Sequence, residues 1–64
     1  MKRKALIAYL CSNDCSLARE GGRHSLYVNE KTGRVSAVPR HPEVKDNLVK
    51  EICKDLGIPY PGKN

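Results

Sequence analysis

Two adjacent glycines, Gly21 and Gly22, interrupt the chain and are followed at once by Arg23, His24 and a run of strand-forming residues. Glycine accepts backbone angles and close approaches that a Cβ forbids, so the pair marks a tight turn and a place where a ligand can come near the backbone. Histidine is the side chain whose unperturbed pKa, about 6.5, lets it exchange a proton near neutral pH. An imidazole just past such a turn, beside an arginine, suits chemistry on a phosphodiester. A hairpin turn with a solvated histidine is written with the same residues.

The turn divides a chain of two periodicities. Leu6, Ile7, Leu10 and Cys11 recur at spacings of three and four, which predicts an amphipathic helix over 4–12 with Lys2, Arg3 and Lys4 at its start. Cations there oppose the helix dipole by about 0.3–1 kcal/mol each, which points to a use for them or to weakly selected surface charge. Asn13 and Asp14 end the helix. Residues 15–20 read as a short strand, with Cys15, Leu17 and Arg19 on one side and Ser16, Ala18 and Glu20 on the other. Residues 24–29 read as a second strand and 29–33 as a hairpin loop. A third strand over 34–38 ends or becomes an edge at Pro39, which has no N–H for a ladder. Within it Val35 and Ala37 compete with Val38 for the core side.

Asp46 or Asn47 is placed to cap a second helix, on which Leu48, Val49, Ile52, Cys53 and Leu56 share a face. Gly57 is its stop, Pro59 prevents resumption, and 60–64 reads as a frayed tail. The order predicts an α+β fold, α-β-β-β-α, in one domain over 1–64. Both helices should cover one face of a three-stranded antiparallel sheet, an order shared with the double-stranded-RNA-binding domain.

Of the net charge of +5, Lys2, Arg3 and Lys4 supply a large part, and the segment 19–45 supplies much of the rest. Clustered cations are the footprint of a polyanion binder, although solubility also accounts for them. With no Trp and no Phe, the core must rest on Leu, Ile, Val, Ala and Cys. Three cysteines leave one unpaired, which argues against a disulfide scaffold. Their spacing lacks a zinc-binding pair, so the thiols read as small buried hydrophobes. No apolar run reaches the roughly 20 residues of a membrane helix, and the run after the basic start is too short for a signal peptide. The expectation is a soluble cytoplasmic protein without membrane partner, metal or cofactor.

Between Arg19 and Pro59 lie the strings R-E-G-G-R-H-S-L-Y-V-N, K-T-G-R-V-S-A-V-P-R-H and I-C-K-D-L-G-I-P. Together they resemble the HicA family of small toxins, and the similarity extends over nearly the whole chain. It is carried by the glycine-led turn ending in His24, by Val38-Pro39-Arg40-His41, and by Leu56-Gly57-Ile58-Pro59. The resemblance implies a fold similar to the double-stranded-RNA-binding domain and an mRNA-cleaving toxin of a type II toxin–antitoxin pair. It implies dependence on one histidine after the glycine turn, here His24. It also implies neutralisation by a HicB-type antitoxin, with the free toxin monomeric and the complex hetero-oligomeric. Three places depart from the family. Asp14 stands where glycine is usual, Asp46 and Asn47 replace a more basic, glycine-containing helix start, and Arg23 stands where serine is frequent.

On this reading His24 is a general base that takes the proton of a ribose 2′-OH, and Gly21 and Gly22 position it. Arg23 is the nearest cation in sequence to the developing phosphate charge. Arg40 either touches phosphate or caps the last strand. Lys2, Arg3 and Lys4 are candidates for sequence-independent phosphate contacts. His41 assists as an acid only if the fold brings it to His24, and otherwise belongs to the corner 39–42. Tyr27 either stacks on a base or serves packing or antitoxin contact. A non-catalytic RNA-binding module of the same fold is the alternative, and a relic kept for protein interaction is a third.

Overall fold

A computed structural model describes residues 1–62. Helix α1 (Arg3–Ser12) is followed by β1 (Cys15–Glu20), β2 (His24–Asn29), β3 (Val35–Pro39) and helix α2 (Asp46–Leu56). The strands form one antiparallel sheet in the order β1-β2-β3. Leu6 and Leu10 of α1 meet Val49, Ile52, Cys53 and Leu56 of α2 over Cys15, Tyr27 and Val38 of the strands, in one apolar cluster. Both helices thus cover one face of the sheet, as expected. Burying an aliphatic side chain of this size is worth about 1.5–3 kcal/mol, so a few such residues hold the fold.

Alternation along β2 and β3 settles which face is which. Ser25, Tyr27 and Asn29 point inward, as do Ser36 and Val38, whereas Val35 and Ala37 lie on the open face. Three of those inward positions are polar, and buried polar groups are costly unless bonded. Asn29 Nδ2 donates to the Leu56 carbonyl at 2.8 Å, and Ser36 Oγ donates to Asp55 Oδ2 at 3.2 Å. Arg34 reaches the same helix end, donating from Nε to the Asp55 carbonyl at 2.8 Å and from Nη2 to that of Lys54 at 3.0 Å. Gly57 closes the helix in the left-handed region, φ 72°. The C-terminus of α2 is therefore fastened to the β2–β3 hairpin by side chains that satisfy its last carbonyls.

Several local expectations are corrected. A bulge in β1 pairs Leu17 with Tyr27 and Arg19 with Leu26, leaving Ala18 as the extra residue. A bulge shifts the side-chain alternation by one, so Arg19 moves to the open face, away from the side assigned by strict alternation. Strand β3 runs one residue later than expected and includes Pro39, paired with His24 at the end of an edge strand, where a missing N–H is tolerated. Lys45, not Asp46 or Asn47, is the N-cap of α2 and makes no side-chain cap. Asp46 instead sits in the first turn, where its charge favours the helix dipole. Leu48 is 40% exposed, and Cys11 is exposed as well, because the helical stripes are narrower than their apolar residues.

After Pro59 the chain folds back. Tyr9 donates its hydroxyl to the Pro59 carbonyl at 2.7 Å, and the half-buried Tyr60 ring lies 5.4 Å from Lys50 Nζ. Lys63 and Asn64, the rest of the expected tail, lie outside the described residues. Among the described residues no helix is long and apolar enough to cross a membrane.

Asp14, between α1 and β1, is among the described residues the one non-glycine held at positive φ, 65°. Its carbonyl accepts the Glu30 N–H at 2.9 Å, and its carboxylate lies 3.4 Å from Lys31 Nζ. Left-handed backbone costs an L-residue about 1 kcal/mol or more, whereas an exposed ion pair is worth less than about 1 kcal/mol. Asp14→Gly is therefore expected to stabilise the protein by up to about 1 kcal/mol in urea denaturation. A clear loss of stability would show that the Lys31 pair outweighs the backbone.

Candidate functional site

β1 ends at Glu20 and β2 begins at His24, so the two glycines and Arg23 form the whole connection. The Gly21 N–H donates to the His24 carbonyl at 2.8 Å. A Cβ on Gly21 would stand 2.9 Å from that same oxygen, which explains the glycine by close approach. Neither Gly21 nor Gly22 has positive φ, so unusual backbone angles are not the reason for either. A Cβ on Gly22 would meet nothing within 4 Å, and the backbone there is bare toward solvent.

A chain of polar contacts holds this turn. Ser25 is fully buried, and its Oγ donates to Glu20 Oε1 at 2.7 Å while accepting from Arg3 Nη2 at 3.0 Å. Arg3 also donates from Nε to the Pro39 carbonyl at 2.8 Å. Arg40 Nη2 donates to Glu20 Oε1 at 2.6 Å and to the Gly21 carbonyl. Helix α1, the ends of all three strands and the turn are thereby joined around one carboxylate. The Ser25 hydroxyl, and after it the Arg40 and Arg3 guanidinium groups, hold the Glu20 carboxyl below the usual range, against partial desolvation.

His24 stands exposed on the open face at the start of β2. It lines a cavity of about 230 Å³ with Arg19, Gly21, Gly22, Arg23, Leu26 and Ala37. A neighbouring cavity of about 420 Å³ is lined by Gly22, Arg23, Arg40 and His41. The two share Gly22 and Arg23. His24, Arg23, Gly21, Gly22 and Arg40 are thus brought together, and the bulge adds Arg19, which strict alternation had hidden. The one hint of it in the sequence is a weak strand former, Ala18, just before a glycine turn.

The basic start of the chain is placed elsewhere. Lys2 and Lys4 are exposed and line a cavity with Arg3, Ala5 and Pro42 that shares no residue with the other two. Lys2 also lies 3.9 Å from Glu43. Arg3 has turned its guanidinium inward to Ser25 and Pro39, so it serves the fold. Tyr27 is buried on the helix-covered face and does not reach the open one. His41 lies in the second cavity and not in that of His24. Cys15 and Cys53 are buried, which pushes their thiol pKa values up. Among the described residues no group of three or more His, Cys, Asp or Glu is placed to hold a metal ion.

Fold and site together define a class: small basic α-β-β-β-α proteins that present an exposed histidine among arginines at a glycine turn. Residues 3–58 match the model of the family described as the HicA toxin of bacterial toxin–antitoxin systems, and the chain belongs to the HicA toxin family. No curated protein and no solved structure matches it.

The two glycines are expected to behave differently. Gly21→Ala should lower stability by about 1–3 kcal/mol, as overpacking does, and Gly22→Ala should stay within about 0.5 kcal/mol of wild type. Equal effects in chemical denaturation would show that the turn does not depend on the Gly21 contact. A carboxylate held below its ordinary value stabilises the fold above that value and ceases to do so as pH falls through the folded one. Thermal stability should therefore decline below about pH 4.3. Glu20→Gln should reduce that decline without abolishing it, because Glu43, bonded to the N-terminal ammonium, is lowered in the same sense. An unchanged pH profile in this variant would remove Glu20 from the account.

Proposed function

We propose that this protein is an endoribonuclease toxin that cleaves mRNA with His24 as general base. The observation that carries the reading is the exposed imidazole in a cavity whose other polar side chains are Arg19 and Arg23. Neither arginine has a hydrogen-bond or ion-pair partner among the described residues, so both are free to meet phosphate.

The step balances with His24 and one water. The 2′-OH of a ribose gives its proton to His24, and the 2′ oxygen bonds to the adjacent phosphorus. The bond from phosphorus to the 5′ oxygen breaks, that oxygen takes a proton from water, and the hydroxide left behind recovers the proton held by His24. The products are a 2′,3′-cyclic phosphate and a 5′-hydroxyl, and the route calls for no metal. A positioned base contributes about 10²–10⁴-fold, and arginine charge on the phosphoryl oxygens adds to it. Leu26 and Ala37 supply an apolar floor beside the reacting groups.

The partner is a HicB-type antitoxin. Val35, 48% exposed, and the half-buried Leu26 and Val28 extend the open sheet face next to His24. A protein laid on that face would bury apolar surface and close the histidine to RNA in one contact. Such chemistry belongs in the cytoplasm, where mRNA is found.

Labelled RNA incubated in EDTA tests the reading. His24→Ala should cleave at least about 100-fold more slowly than wild type while keeping the wild-type circular dichroism spectrum. Undiminished cleavage by the variant would remove the mechanism.

A further inference from the structure

We infer that the cavity of Gly22, Arg23, Arg40 and His41 is a second phosphate subsite, which takes the phosphodiester next to the one cleaved at His24. The inference rests on the ribonuclease reading and extends it from one phosphate to two.

Contiguity comes first. The cavity joins that of His24 through Gly22 and Arg23, so a strand leaving one passes directly into the other. At the junction Gly22 carries no Cβ, and the space one would occupy is open for 4 Å. A sugar–phosphate backbone can cross there against main chain alone. The fold did not need glycine at this position, as it did at Gly21, so access for a ligand is the remaining physical use of its bareness.

Arg40 is the second argument. Its Nη2 is held by Glu20 and by the Gly21 carbonyl, and among the described residues Nε and Nη1 have no acceptor. A guanidinium fixed along one edge offers the other edge with much of its rotamer freedom already removed. Glu20 does not cancel the site. Its single negative charge is shared with Arg3 through Ser25, so Arg3, Glu20 and Arg40 together carry +1, and Arg23 raises the local charge to +2. The exposed His41 adds an imidazole N–H as donor. The volume, about 420 Å³, falls within the range of small-ligand sites, about 300–1,000 Å³. Glu20 is a positioning residue here, since it acts through Arg40 and touches no substrate. The preferred substrate is an RNA strand with two consecutive phosphates; a dinucleoside monophosphate fills only half of the site.

Ligands that cannot be cleaved test this without reference to turnover. A 2′-O-methyl dinucleotide lacks the attacking hydroxyl, so the wild-type protein can be titrated with it in three forms, carrying a terminal phosphate at neither end, at the 5′ end, or at the 3′ end. One placement should tighten binding about tenfold, the worth of a charge-assisted hydrogen bond, and the other less than about twofold. That gain should fall below about threefold in His41→Ala or Arg40→Gln. His41 makes no hydrogen bond or ion pair within the described residues, so its variant keeps the fold even if the Arg40 variant loosens the turn. No gain at either end, equal gain at both ends, or an undiminished gain in both variants would overturn the subsite. Those results leave His24-dependent cleavage untouched. Conversely, full cleavage by His24→Ala would remove the ribonuclease reading and leave the phosphate increment measurable.

Discussion

A single buried hydroxyl carries the architecture around the turn. Ser25 lies on the helix-covered face of the central strand, where an apolar residue would be the ordinary choice. Its oxygen joins the Arg3 guanidinium of α1 to the Glu20 carboxylate that ends β1, and Glu20 passes the link to Arg40 beyond β3. Ser25 is the buried member of this network, and an unpaired buried hydroxyl is costly, so the partners that satisfy it are selected by geometry. The sheet edge, the helix and the loop can therefore meet in one arrangement. His24, one residue before Ser25, inherits its position from that arrangement.

The same network explains how a chain rich in arginine sorts its cations. Arg3 and Arg34 donate to backbone carbonyls and lie down on the fold, one at the turn and one at the end of α2. Arg19 and Arg23 donate to nothing within the described residues and stand beside His24. Arg40 does both, with one nitrogen in the fold and an open edge. Net charge alone would rank these five together. Their hydrogen bonds separate structure from surface, and membership of the HicA toxin family gives the free ones a context in toxin–antitoxin chemistry.

Much of this was legible in the chain. Leu6 and Leu10, and the set Val49, Ile52, Cys53 and Leu56, announced both helical stripes, since spacings of three and four have one helical meaning. Gly57 announced the end of α2, and its positive φ supplies the reason. Less legible was β1, where Ala, Arg and Glu carry no strong strand preference and the bulge is hinted at only by Ala18. The N-cap of α2 was misplaced because Asp46 is favourable both as a cap and one position later. Lys2, Arg3 and Lys4 looked alike in sequence, yet Arg3 alone is long enough, and forked enough, to satisfy Ser25 and Pro39 together.

Periodicity and punctuation are local properties, and they were enough to specify two helices, three strands and the tight turn before His24. Which residues surround that histidine is not a local property. It follows from the register between β1 and β2, which the bulge at Ala18 shifts, and from the closure of β3 and α1 onto Glu20 and Ser25. Those pairings join residues up to 36 positions apart. No pattern within a short window encodes them, because their energy depends on desolvation and geometry that exist only once the chain has closed.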